Sequence, residues 1–62
     1  MSPLGLTVPE AAKVAGVGRS TVYEELASGR LKARKLGRRT IILEADLRDW
    51  LAALPAMKSV QP

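Results

Sequence analysis

The sequence predicts a small α+β domain, mainly helical, in which three short helices are joined to a two-stranded β-hairpin. Apolar residues recur at helical spacing before residue 30 and after residue 43, which indicates amphipathic helices. Between these segments the pattern changes to short strands around the turn dipeptide Gly37-Arg38. The chain has 62 residues and neither cysteine nor histidine, so a single domain without disulfides or the usual zinc ligands must be held together by packing.

The first predicted helix begins at Thr7. Thr7 is a favourable N-cap, Glu10 three residues later completes a capping box, and Pro9 is tolerated in the first turn. Gly16 is expected to end the helix in the left-handed conformation. The apolar stripe of this helix consists of Val8, Ala11, Ala12 and Ala15.

A second helix is predicted over residues 19–28, after the short link Val17-Gly18. Gly18 is an acceptable N-cap without a capping side chain, and Gly29 ends the helix. Val22 and Leu26 lie four residues apart and face inward. The opposite side carries Ser20, Thr21, Glu24, Ala27 and Ser28, with Tyr23 at its edge and Arg19 at the N-terminal end.

Two strands are predicted over residues 33–36 and 39–42. The Gly37-Arg38 dipeptide between them fits a type II′ turn, which places glycine first. In this register we expect Ala33 and Ile42 to be cross-strand neighbours on the inner face.

A third helix is predicted over residues 44–54, with a weak N-cap at Leu43 or Glu44 and with Pro55 at its end. Its apolar stripe consists of Leu47, Trp50, Leu51 and Leu54. The predicted organisation is a flexible N-terminus at residues 1–5, a folded domain at 6–54 and a flexible C-terminal tail at 55–62. The proline at position 62 favours a natural end of the chain over a cut one.

The charge distribution points to a polyanionic partner. The net charge is +4 and the pI is about 10.1. Six of the ten basic residues lie between Arg30 and Arg39, and no carboxylate interrupts the stretch from Leu26 to Leu43. No segment approaches the ~20 apolar residues of a membrane span, and residues 1–6 do not resemble a signal peptide. We therefore expect a cytoplasmic, nucleoid-associated location in a prokaryote or phage and no membrane partner.

Catalysis is not expected. The chain has no histidine to act as a base or to activate a serine. Gly16-Val17-Gly18 lacks the preceding strand and following lysine of a phosphate loop, so a turn between helices explains it better. The sequence therefore predicts no catalytic residues, no cofactor, no metal site and no small-molecule substrate.

Two features together indicate a DNA-binding module. The helix–Gly-Val-Gly–helix segment is typical of a helix-turn-helix, whose second helix enters the major groove and in which Ser20 and Thr21 would approach base edges. An ordinary corner between two helices is the alternative. The hairpin then carries four cations, Arg34, Lys35, Arg38 and Arg39. These cations would contact the DNA backbone or the minor groove. The alternative is that they form a charged strand edge that prevents aggregation.

Three other side chains, Glu24, Glu25 and Tyr23, fit more than one interpretation. Glu24 points outward, where it would accept from a cytosine amino group, orient Arg19 or simply be solvated. Glu25 is expected on a solvated helix face or paired with a cation of the hairpin. Trp50 is expected in the core, whereas Tyr23 is either half-buried or a phosphate donor.

The order of these parts resembles the excisionase-type, MerR-like winged helix-turn-helix family. The resemblance covers residues 6–54 in five blocks, with departures from the family pattern at Gly18, Glu24, Thr40 and Leu43. The blocks are Leu6-Thr7-Val8-Pro9-Glu10-Ala11-Ala12, Gly16-Val17-Gly18-Arg19-Ser20-Thr21-Val22-Tyr23, Ser28-Gly29-Arg30-Leu31, Leu36-Gly37-Arg38-Arg39 and Asp46-Leu47-Arg48-Asp49-Trp50-Leu51.

The resemblance implies a small DNA-binding protein of a prophage or other mobile element. Such proteins act as recombination directionality factors or as small transcriptional regulators, and their partners are double-stranded DNA, an integrase or further copies on adjacent sites. Carried over by position, the contacts of the second helix fall on Arg19, Ser20, Thr21, Tyr23 and Glu24. The contacts of the wing fall on Arg34, Lys35, Arg38 and Arg39.

Two other functions remain open at this point. One is a protein-interaction module that uses the same scaffold to dock an acidic partner, which Glu24 and Glu25 favour. The other is the DNA-targeting domain of a larger recombinase.

Overall fold

A computed structural model describes residues 4–55 of the chain. The elements in chain order are β1 (Gly5–Leu6), α1 (Val8–Ala15), α2 (Arg19–Ser28), β2 (Arg34–Leu36), β3 (Arg39–Leu43) and α3 (Glu44–Ala53). The predicted α+β class is confirmed, and the architecture is that of a winged helix-turn-helix. No helix within residues 4–55 is long and apolar enough to span a bilayer.

The sheet has three antiparallel strands in the order β1-β3-β2, one more strand than predicted. Gly5 pairs with Leu43 and Leu6 pairs with Ile42. Gly5, which the prediction placed in the flexible N-terminal segment, is paired with β3 in the structure. Residues 1–3 and 56–62 lie outside the described residues, and the rest of the predicted division of the chain remains a prediction.

The hairpin has the predicted turn. Leu36 pairs with Arg39, which leaves Gly37 and Arg38 as a two-residue loop. Gly37 has a φ of 61° and no non-glycine residue among residues 4–55 has a positive φ, as a type II′ turn requires. The expectation for Ala33 is wrong, because β2 begins only at Arg34 and Ala33 is exposed. On the other edge of β3, Ile42 is paired with Leu6.

The capping box of α1 is formed as predicted. The backbone N–H of Thr7 donates to Glu10 Oε1 at 2.8 Å, and the backbone N–H of Glu10 donates to Thr7 Oγ1 at 3.3 Å. Gly16 ends the helix with a φ of 75°, and its N–H donates to carbonyls of the last turn. These local bonds fix both ends of α1 and therefore the short turn into α2.

The other two helices begin without a side-chain cap. Neither Gly18 before α2 nor Leu43 before α3 caps its helix with a side chain, as predicted for both positions. The backbone N–H of Glu44 donates instead to the carbonyl of Leu4 at 2.9 Å, so the start of α3 is tied to the N-terminal segment.

The core lies between α1, the inner side of α2, β3 and the side of α3 that carries Leu47 and Trp50. Its buried members are Leu6, Val8, Ala11, Ala12, Val22, Leu31, Ile42, Leu47 and Trp50. Ala15, Val17 and Leu26 are partly buried against them. Leu51 and Leu54 were predicted on the buried stripe of α3 but are exposed, because the last turn of α3 extends past the small body it would need to pack against.

Replacing Gly5 by alanine should weaken the sheet. A Cβ atom on Gly5 would lie 2.6 Å from Ile41 Cγ2, and Ile41 is held in β3 with a branched side chain that has few alternative rotamers. Overpacking of this kind costs roughly 1–3 kcal/mol. Urea unfolding followed by circular dichroism should show that loss for Gly5→Ala and a smaller change for Gly18→Ala, a matched control at which an added Cβ atom meets no atom within 4 Å and φ is −76°. Equal stability of Gly5→Ala and the wild type would contradict the close packing of β1 on β3.

Candidate nucleic-acid interface

The predicted contact residues of α2 are all solvent-exposed. They are Arg19, Ser20, Thr21, Tyr23 and Glu24. Because an α-helix has 3.6 residues per turn, Ser20, Tyr23 and Ala27 follow one another along one side of α2. The buried side is defined by Val22, so the exposed residues form a polar outer face that projects away from the core.

The predicted contact residues of the hairpin are exposed as well. Arg34 and Lys35 lie on β2, Arg38 lies in the turn and Arg39 begins β3. We refer to residues 34–39 as the basic hairpin. Its four cations fall within six consecutive positions, and no carboxylate lies among them.

A groove joins the outer part of α2 to the basic hairpin. Its volume is about 470 Å³ and it is open to solvent. Residues of both elements line it, with Arg34, Lys35 and Thr40 on the hairpin side. On the helix side the lining residues are Tyr23, Leu26 and Ala27, and Leu31 and Ala33 complete it. Since Ser20 continues the stripe of Tyr23 and Ala27, the structure brings this side of α2 and Arg34 and Lys35 of the hairpin to one opening.

None of the nine predicted contact residues is engaged by another side chain within residues 4–55. The side-chain hydrogen bonds of this part of the chain involve other residues. Its two ion pairs are Arg30–Glu25 and Arg48–Glu44. The polar groups of the outer face and of the basic hairpin are therefore available to an external partner.

The remaining two cations of the basic stretch face a different part of the molecule. Arg30 and Lys32 line a smaller pocket of about 220 Å³, together with residues of α3: Asp46, Asp49, Trp50 and Ala53. The six clustered basic residues are thus divided between two surfaces. Only the four of the basic hairpin lack nearby carboxylates of α3.

Glu25 is the centre of a polar contact that the sequence did not predict. Its Oε1 accepts from Arg30 Nε at 3.0 Å and from Trp50 Nε1 at 3.0 Å, and its Oε2 accepts from Arg30 Nη2 at 2.6 Å. We call these three residues the clasp. The Glu25 side chain is only 14% exposed, so the expectation of a solvated carboxylate is wrong. Its cationic partner comes from the loop after α2 and not from the hairpin.

The clasp changes the acidity of Glu25. Hydrogen bonds from Arg30 and then from Trp50 stabilise the carboxylate and lower the pKa of Glu25 from 4.5 to about 2. The Glu25 carboxylate raises the pKa of Arg30 in return. Glu25 is therefore ionised and neutralised locally, which removes it as a source of repulsion toward phosphate.

The structure also places Trp50 and Tyr23, the two aromatic residues of the chain. Trp50 is buried in the core, as predicted, and its indole N–H has a partner in Glu25. Tyr23 is 59% exposed at the rim of the groove, and its hydroxyl makes no hydrogen bond with another residue in the described part of the chain. A buried tryptophan usually needs an acceptor for its N–H, and this was the one sequence signal that favoured a polar partner for Trp50.

Arg39 lies near the first turn of α1. The Thr7 backbone N–H and the Thr7 side chain lower the pKa of Glu10, and the charge of Arg39 lowers it by a smaller amount.

No group of three or more residues of the types that bind metal ions occurs within residues 4–55.

The fold and this surface define a small winged helix-turn-helix protein with an exposed second helix and a basic wing. A family model described as "Helix-turn-helix domain" matches residues 6–55, most of the chain. The chain therefore belongs to the helix-turn-helix domain family.

The chain is also similar to a curated protein of Saccharopolyspora erythraea that carries the name "Probable excisionase". The two are 41% identical over 54 residues, which is 87% of this chain and 55% of that protein. The chain thus spans about half the length of this relative. Together these matches confirm the resemblance to excisionase-type helix-turn-helix proteins, and no solved structure matches the chain at a significant level.

Stability should fall as the pH decreases from 4.5 to 2. The folded-state pKa of Glu25 is depressed, so its contribution to stability is complete above the unfolded value and is lost as the pH falls toward about 2. Urea midpoints measured by circular dichroism across this window should decline steeply for the wild type and less steeply for Glu25→Gln.

The slope that remains in Glu25→Gln should come partly from Glu10, whose pKa is lowered too. Glu10→Gln keeps a capping-box side chain and serves as the control for that part. Identical slopes for the wild type and Glu25→Gln would contradict the clasp.

Proposed function

We propose that residues 6–54 bind duplex DNA without catalysing a reaction. The second helix, α2, enters the major groove, and the basic hairpin lies on the adjacent backbone or in the minor groove. The single observation that carries this proposal is the groove in which one side of α2 and the cations Arg34 and Lys35 meet at one opening. An element that reads bases and an element that grips phosphate must both reach the same duplex.

The chemistry of the two elements supports this division of roles. Ser20 and Thr21 have short side chains that donate and accept, which suits contacts to base edges in the major groove. Arg19 lies at the N-terminal end of α2, and Glu24 lies beside Ser20 on the outer face, where it would accept from a cytosine amino group. Arg34, Lys35, Arg38 and Arg39 are suited to phosphate or to a narrow minor groove.

The groove itself fits a strand of the DNA backbone. Its apolar lining residues suit deoxyribose, and its lining also includes the cations Arg34 and Lys35 and the hydroxyls of Thr40 and Tyr23. A backbone strand lies between a major groove and its neighbouring minor groove, so a protein that occupies both must pass this strand between its two elements.

The biological role that this supports is that of an excisionase-like protein. We propose a cytoplasmic protein of a prophage or other mobile element that acts as a recombination directionality factor or as a small transcriptional regulator. Support comes from the similarity to the protein named "Probable excisionase". A single module of this size covers only roughly 600–1,000 Å² on DNA, so strong occupancy calls for adjacent copies or an integrase as partner.

A protein-interaction module remains the second candidate, because the same groove is lined by both apolar and basic residues. An acidic peptide with an apolar anchor would fit it. A mobility shift with a random duplex at low salt separates the two functions, since DNA binding predicts a retarded band and the alternative predicts none.

The affinity for DNA should depend steeply on salt. If about five phosphates are neutralised, log affinity against log salt has a slope of roughly −4 to −5. Replacing both Arg38 and Arg39 by alanine should reduce the magnitude of that slope by roughly 2 and weaken binding to all sequences alike. Fluorescence anisotropy with labelled duplex at several salt concentrations measures it.

A matched control removes the same charge elsewhere. Lys32 lies in the pocket with Asp46 and Asp49, and Arg48 is paired with Glu44 on α3. Lys32→Ala/Arg48→Ala should therefore keep a slope close to that of the wild type. Equal flattening by both double variants would show that net charge, and not the basic hairpin, governs binding.

Changes in the outer face of α2 should alter which sequences bind. Ser20→Ala and Thr21→Ala are expected to change the sequences enriched from a random duplex pool, with a cost of roughly 1–3 kcal/mol for a preferred base and an unchanged salt slope. Val14→Ala is the control, because Val14 is exposed on α1 and belongs neither to α2 nor to the basic hairpin. A uniform loss of affinity for all sequences would contradict base contact by Ser20 and Thr21.

A further inference from the structure

The hydrogen bond between Trp50 and Glu25 connects parts of the chain that are far apart in sequence. It spans 25 residues. The other side-chain hydrogen bonds within residues 4–55 join residues five or fewer positions apart. Trp50 therefore provides a polar tie between α2 and α3 in addition to apolar packing.

The position of α2 has few other determinants. Its N-terminus has no side-chain cap, and Val22 is its one buried residue. Leu26 packs partly against the core, and α1 is its main neighbour. A helix held by a narrow apolar stripe can rotate about its own axis unless a directional contact opposes the rotation.

Glu25 is placed to oppose that rotation. Residues two positions apart on a helix point in directions about 200° apart, so Glu25 and Tyr23 lie on opposite flanks of α2. Glu25 is bound to α3 and to Arg30 on one flank, whereas Tyr23 lines the groove toward the hairpin on the other. Any rotation of α2 that separates Glu25 from Trp50 also moves Tyr23 and Ser20 relative to the basic hairpin.

We propose that Glu25 is a positioning residue for DNA recognition. By fixing one flank of α2 to Trp50 and Arg30, it sets the angle at which the outer face of α2 stands to the basic hairpin. Glu25 does not itself touch DNA in this role. The inference rests on the proposed function, because the angle matters only if both elements contact one duplex.

The test compares two affinities of the full 62-residue chain. One probe is a duplex enriched from a random pool by the wild-type protein, and the other is a random-sequence duplex of equal length. Their ratio does not depend on the fraction of folded protein, since unfolding reduces both affinities by the same factor. A purely structural role of Glu25 would therefore leave the ratio unchanged.

Two variants break the clasp from opposite sides. Glu25→Ala removes the acceptor, and Trp50→Phe keeps an aromatic ring in the core but removes the N–H. Each should lower the ratio by roughly tenfold, and the double variant should lower it by little more than the larger single loss, because both changes remove one contact. If Glu25→Ala does not fold, Trp50→Phe alone decides the outcome.

The matched control is Glu44→Ala. It removes the same charge from the other Glu–Arg pair, Glu44–Arg48, which joins two residues of α3. Its ratio should equal that of the wild type. A ratio that is unchanged in Glu25→Ala and Trp50→Phe, or lowered equally in Glu44→Ala, would overturn the proposal.

Failure of the proposed function has a different signature. In that case the wild-type protein binds neither duplex at low salt. Wild-type binding together with an unchanged ratio in the clasp variants overturns the positioning role alone.

Discussion

The crowding of like charges on the basic hairpin is the constraint on which the rest of the structure depends. Arg34, Lys35, Arg38 and Arg39 repel one another on a ribbon without a carboxylate, and an isolated two-stranded hairpin is only marginally stable. The hairpin is held because β3 is also paired with β1 and because Ile42 is fully buried in the core. The pairing and packing of β3 thus hold the hairpin that carries these four cations against the core.

The basic residues are divided between two sides of the molecule. Arg30 is engaged by Glu25, and Lys32 lies near the carboxylates of α3, so these cations stabilise the fold. The cations of the basic hairpin and the polar groups of the outer face of α2 have no partner of this kind within residues 4–55. The helix α2 lies between the two sides, with Glu25 directed to α3 and Tyr23 directed to the groove.

The features that the sequence predicted are those set by a few neighbouring residues. The Thr7–Glu10 capping box, the left-handed end at Gly16 and the Gly37-Arg38 turn each depend on chemistry within four positions. Strand β1 was missed because two residues are too few to show the alternating apolar and polar pattern of a strand. Its pairing is set by Ile42 and Leu43, which lie far along the chain. The Glu25–Trp50 contact was missed for the same reason. Helical periodicity identified the stripe of α3, but the exposure of Leu54 depends on where the small core ends.

The simultaneous contact of both elements with one duplex is the central claim, and an NMR titration tests it most directly. The account predicts that adding a short duplex at low salt shifts the backbone amides of residues 19–24 and of residues 34–39 with one common binding curve. Residues 45–53 of α3 should move little, because they lie on the opposite flank of α2. Shifts confined to one of the two elements, or shifts centred on α3, would contradict the account.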